Sequence, residues 1–253
     1  MFLFALAHAQ NLGVIDASTV QPVYICPDFP GRPEVLDLSD EQRFLLGELR
    51  ITTEIQTAEI VSAGALTPTL DALRGFDAVL VSTVPGQPFA DPDALGDVLR
   101  DYQLEGHGVI VAGAALDYSS PDGIRGGLVE MNLVAMELPT GAGMVYDQLD
   151  TRQEDDDYLP GFGAVDVWVG DGAHVVGLQD HQAALRALSW AEGGIEDPLM
   201  SVLRPPEPWV GSSVALNISP NNGGPPIVSC WLGRFALLSG SSSAIRSPAI
   251  SRG

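Results

Sequence analysis

The sequence predicts an α/β fold: a three-layer sandwich with a mostly parallel central sheet and an antiparallel margin in the C-terminal half. Three observations carry that prediction. Asp77-Ala78-Val79-Leu80-Val81-Ser82 is apolar on both faces, the pattern of a strand buried on both sides. Asp91-Pro92 opens a helix with an N-cap carboxylate and a first-turn proline. Leu95, Val98, Leu99 and Tyr102 then share one face of it. Glu105-Gly106-His107-Gly108 stops the helix, and Val109-Ile110-Val111-Ala112-Gly113 is a second buried run. Strand, helix, strand is a βαβ unit, so the two strands should lie side by side and parallel.

From the N-terminus, Phe2-Leu3-Phe4-Ala5-Leu6 is apolar, and Ala7-His8-Ala9 before Gln10 has the small-x-small form of a signal-peptidase site. A basic n-region is absent. Residues 1–10 therefore read as a truncated secretory signal, with a buried strand as the other reading, and 11–21 as a linker. Val23 to Cys26 is a predicted strand, ended by the turn cluster Pro27 to Gly31. Ser39 and Gln42 form a capping box for a helix near 40–50, with Phe44, Leu45 and Leu49 inward. Thr53 to Val61 reads as a strand. Thr67-Pro68 opens a short helix with Leu70 and Leu73 inward and Gly75 at its stop.

After the central unit, Asp117 to Gly127 reads as a loop and Leu128 to Glu137 as a strand. Asp147 to Pro160, which contains Glu154-Asp155-Asp156-Asp157, reads as an exposed acidic loop. Val165 to Val169 alternates like an edge strand, and Asp180 to Trp190 suggests a helix with Leu185 and Leu188 inward. Pro198 to Leu203 and Ser212 to Ile218 flank a turn-rich Arg204 to Pro208 and read as paired antiparallel strands. Ile227, Trp231, Phe235 and Leu238 share a face of a closing helix. Residues 241–253 are Ser-rich and read as a flexible tail. Residues 22–240 would form one domain, a size that a single core can support.

Charge narrows the partners. Thirty-three Asp and Glu face twelve basic residues, every one an Arg, for a formal charge of −21. Nucleic acid and anionic membranes are therefore poor partners. No apolar run is long enough for a spanning helix. Cys26 and Cys230 are the two cysteines, and their spacing leaves one disulfide and two buried thiols both open. The four histidines lack metal-ligand spacing, and the acidic run at 154–157 lacks the alternating calcium loop. No metal and no cofactor are expected.

Phe76 to Val81, the helix ending Leu99-Arg100-Asp101-Tyr102, and Glu105 to Gly113 together resemble the class I glutamine amidotransferase-like (flavodoxin-like) superfamily. The pattern is most similar to its branch of trehalose-utilisation-like proteins and secreted bacterial domains. Ser213 to Pro220 is similar to the returning strand of that branch, and the resemblance spans 22–240. It implies a Gly-x-Cys-x-Gly turn that exposes a thiolate near helix and loop amides. Here Ala115 stands at the cysteine position, after Gly113-Ala114, and Asp117 replaces the second glycine. The His-x-Glu pair is missing too, since Val175-Val176 follow His174 and Gln182-Ala183 follow His181. A triad without its nucleophile does no acyl transfer.

The resemblance therefore implies a non-enzymatic, secreted bacterial domain that binds or scaffolds. Its partner would be a small molecule or an envelope or extracellular protein. Ligands of open α/β sheets bind at the carboxyl ends of the strands. That places Pro85, Gly86, Gly113, Ala115, Asp117, Tyr118 and Ser119 around the expected crevice. The alternative is a hydrolase whose chemistry has moved to the crevice around Asp117, Ser119 and Ser120, or to a metal, although no Gly-x-Ser-x-Gly elbow is present.

Overall fold

A computed structural model describes residues 10–17, 22–23, 35–36, 55–83, 86–137, 143–148, 152–154, 171–192 and 195–217. The strands in chain order are β1 (Gln10–Asp16), β2 (Pro22–Val23), β3 (Val35–Leu36), β4 (Ile55–Ser62), β5 (Ala78–Thr83) and β6 (Gly108–Gly113). They continue as β7 (Met136–Glu137), β8 (Gly143–Gln148), β9 (Arg152–Glu154) and β10 (Asp171–Val176). The last four are β11 (Gln179–Asp180), β12 (Leu185–Glu192), β13 (Ile195–Leu203) and β14 (Ser213–Leu216).

Eight strands form one sheet in the order β4-β1-β5-β6-β14-β13-β12-β9. The first five run parallel to one another. β13, β12 and β9 add an antiparallel margin. β14 is the hinge between the regimes, parallel to β6 on one side and antiparallel to β13 on the other. The expected α/β sandwich is the fold. β5 and β6 are neighbours paired in parallel from Ala78 with Gly108 to Thr83 with Gly113.

Every residue of β5 and β6 is buried, so both faces of the sheet are covered. On one face Ile15, Val79, Val81, Val109 and Val111 join Leu95, Leu99 and Tyr102 of the helix Pro92–Leu104 in one core. The alternate residues Leu12, Val14, Leu80 and Ile110 point to the opposite face and are fully buried as well. The helix starts where predicted: Asp91 caps it by accepting the Ala94 N–H at 3.0 Å, with Pro92 in its first turn. Tyr102 donates its hydroxyl to the Phe76 carbonyl at 2.9 Å and stacks on His107 with ring centres 4.3 Å apart. Gly96 lets the helix lie against the next loop, since a Cβ there would sit 1.5 Å from the Arg125 carbonyl oxygen.

Several expectations are corrected. Residues 11–16 are no linker but most of β1, between β4 and β5. Gly13, which dilutes the apolar pattern, is required because a Cβ there would come within 2.8 Å of the Phe76 ring. The short helix is Leu70–Leu73 and starts two residues later than expected, with Thr69 as its cap. Val23 does lie in a strand, a two-residue one paired with β3.

The predicted strand 128–137 is instead a single helical turn, Gly127–Glu130, followed by the two-residue β7. Gly126 at φ 68 and Asn132 at φ 52 bracket that turn. Its first N–H, from Gly127, is held by the Asp97 carboxylate at 2.9 Å. The loop expected at 147–160 contains the end of β8 and all of β9, so Glu154 is in a strand.

The expected helix 180–190 is β11 and β12. Gln182-Ala183-Ala184-Leu185-Arg186-Ala187-Leu188 is rich in helix formers, yet pairing with β13 and β9 overrides that local preference. The expected helices near 40–50 and 227–238, the strand 165–169, the N-terminal segment 1–9 and the tail 241–253 lie outside the described residues. Among the described residues no helix is long and apolar enough to cross a membrane.

One buried side chain locks the margin. Asn217 accepts the Val175 N–H at 2.7 Å and donates to the carbonyls of Val175 and Pro198, both at 3.1 Å. It thereby joins β10 to β13 just past the end of β14.

Candidate functional site

The end of β6 is where the parallel sheet offers its carboxyl edge. Gly113 ends the strand at φ 58, a backbone that L side chains avoid. Ala114–Leu116 then make one 3-10 turn, and all three are fully buried. Ala115 was expected to line a crevice, but it lies in the same core as Leu95 and Leu116. Its carbonyl accepts the Ile124 N–H at 3.0 Å. Position 115 is therefore part of the packed interior.

The following loop is held by its own side chains. Asp117 is buried, and its carboxylate accepts the Ser119 hydroxyl at 2.6 Å and the Ser119 N–H at 3.3 Å. Ser120 Oγ accepts the Asp122 N–H at 3.1 Å. Gly123 returns close beneath, where a Cβ would meet the Asp117 carbonyl oxygen at 1.8 Å. Gly86, exposed at φ 83, donates its N–H to Asp122 at 2.8 Å and so ties the loop after β5 to the loop after β6. The structure thus brings Gly86 to the Asp117 loop, as the strand pairing suggested. Pro85 lies outside the described residues.

Tyr118 and Ser119 reach a hollow of about 370 Å3. Small-molecule sites begin at about that size. Its apolar wall is Val129, Val134 and Met136, and its polar groups are Tyr118, Ser119, Asn132 and Glu137. The Tyr118 hydroxyl donates to the Met136 carbonyl at 3.4 Å. Burial, and then the charge of Glu137, push that phenol well above its usual range, so it is neutral and a donor.

Glu137 is oriented from outside the hollow. Gln179 Nε2 donates to it at 3.4 Å, and His181 Nε2 stands 3.8 Å from its other oxygen. His181 Nδ1 accepts the Ala183 N–H at 3.1 Å, which places the ring proton on Nε2. No cluster of three or more metal-ligating side chains occurs among the described residues.

Of the residues that line the hollow, sequence reasoning named Tyr118 and Ser119 and did not name the facing wall. Val129, Asn132, Val134, Met136 and Glu137 were assigned to a strand that would have carried them away. The signal that could have found them is the pair Gly126 and Asn132, residues that tolerate positive φ and so can fold a short segment back on itself.

Solved structures share this fold. A cytoplasmic protein of Salmonella typhimurium, STM3548, is 15% identical, with a TM-score of 0.56 over 88% of this chain and 96% of that one. A second, STM1381 from Salmonella typhimurium LT2, is 14% identical, with a TM-score of 0.54 over 94% and 100% of the two chains. The N-terminal domain of mmIFT52 is 15% identical, with a TM-score of 0.51 over 81% and 91%. At these identities the likeness is one of fold and carries no activity. No protein-family model and no curated protein matches the sequence.

Proposed function

We propose that the chain is a non-enzymatic binding or scaffold domain of amidotransferase-like descent, secreted, which holds a small molecule in the hollow beside Tyr118. The observation that carries this reading is the contrast across one loop. Position 115, where the resembled family keeps its nucleophile, is alanine sealed in the core, while Tyr118 and Ser119 line an open hollow. Amidotransferase descent rests on the residue pattern of the central βαβ unit. Secretion rests on the apolar start and Ala7-His8-Ala9, and a cut after Ala9 would leave every residue of β1 in place.

The second reading, a hydrolase with relocated chemistry, has one observation in its favour, the 2.6 Å contact between Ser119 and Asp117. In that contact the hydroxyl caps a buried carboxylate within a loop turn. His181 is engaged with Ala183 and Glu137.

Binding is tested by melting the protein against a panel of sugars, polyols and small amines. A ligand that binds only the folded state raises the melting temperature in a saturable way. At least one member is expected to do so, and Val129→Trp, which narrows the hollow, is expected to reduce or abolish the shift. A panel with no saturable shift, or a shift unchanged by Val129→Trp, would overturn the reading.

A further inference from the structure

We infer that the hollow beside Tyr118 selects a small organic cation, an ammonium group carried on an apolar body. This rests on the binding reading above and adds the chemical class of the ligand. Among the described residues of the lining Glu137 is the charged one, and neither Lys nor Arg is among them. His181 Nδ1 accepts a backbone N–H, so its Nε2 faces Glu137, 3.8 Å from one carboxylate oxygen. Gln179, an amide, donates to the other oxygen. The carboxylate is thus held at the edge of the hollow.

The rest of the lining completes a cation site. Tyr118 lines the hollow together with Glu137, and a cation that reaches the face of a phenol ring gains from its quadrupole. Its hydroxyl is directed to the Met136 carbonyl, which leaves the ring in place and offers an anion no charged donor. Val129, Val134 and Met136 make an apolar wall that a sugar could not match and an alkyl or aryl body could. The chain as a whole carries −21, which concentrates cations and repels anions.

Three probes of one shape test the class: benzylammonium, benzyl alcohol and benzoate, each titrated calorimetrically into the intact protein. Benzylammonium is expected to bind about tenfold more tightly than benzyl alcohol, the usual worth of a charge-assisted contact, and benzoate not at all. Glu137→Gln, which keeps shape, is expected to lower benzylammonium to the level of the alcohol. Tyr118→Leu is expected to weaken benzylammonium more than the alcohol. The comparison of probes on the unaltered protein decides the matter even if a variant fails to fold. Equal binding of alcohol and ammonium, or indifference to Glu137→Gln, overturns the cation class and leaves the binding reading standing. If neither these probes nor any sugar or polyol binds, both fall together.

Discussion

The parallel half of the sheet and its antiparallel margin are stabilised in different ways. In the parallel half, β5, the helix Pro92–Leu104 and β6 are consecutive in sequence, and the helix covers the strands that flank it. In the margin, β14 pairs with β6, which lies about one hundred residues earlier, and with β13 across a turn-rich loop. Among the described residues the margin is also bridged by polar side chains: Asn217 clamps β10 to β13, Asp197 accepts the Gly177 N–H, and Asp180 accepts from Ser201 and Arg186. Local signals built the β5–helix–β6 unit, and long-range pairing set β1 and β14 on either side of it.

The largest effect should come from the parallel half. Leu99→Ala removes a fully buried side chain from the shared core and should cost about 2–5 kcal/mol by denaturant unfolding. A cost below about 1 kcal/mol would show that the helix does not seal the sheet.

Next is the clamp. Asn217→Ala leaves the Val175 N–H and two carbonyls without their partner and should cost about 2–3 kcal/mol. Hydrogen exchange should speed up in β10 and β13 while the amides of β5 and the long helix stay protected. Uniform acceleration across the molecule would mean that the two halves unfold as one unit.

Alkali distinguishes the halves by another route. Burial holds the Tyr102 phenol above its usual value, with Asp77 adding to the effect. The folded state therefore keeps a proton that the unfolded chain releases. The stability from this group is whole below about pH 10 and falls as pH rises past that point, by about 1.4 kcal/mol per unit at most. Tyr102→Phe should flatten that fall, at the expense of the bond to the Phe76 carbonyl. The smallest effect belongs to the cap: Asp91→Ala should cost about 1 kcal/mol.

What was legible in the sequence is the part whose signals lie within a few residues of one another. Asp91-Pro92 and the buried runs on either side of the long helix announce themselves within a few residues, and each was read correctly. β1 was missed because Gly13 serves a distant ring, Phe76, that no local window reveals. β12 was read as a helix because its partners, β13 and β9, supply hydrogen bonds that its own composition does not suggest. For the site, Tyr118 and Ser119 were within reach of the strand-end rule, whereas Glu137 arrives by way of the backbone reversal at Gly126 and Asn132.

The most direct test of a domain that binds without turnover is hydrolysis by the purified, unaltered protein. Release of ammonia from glutamine and cleavage of a simple ester should both stay at the rate of buffer, with or without an added metal ion. Turnover that disappears in Ser119→Ala or Asp117→Asn, while the variant still melts as the parent does, would contradict the account and establish the loop after β6 as a catalytic one.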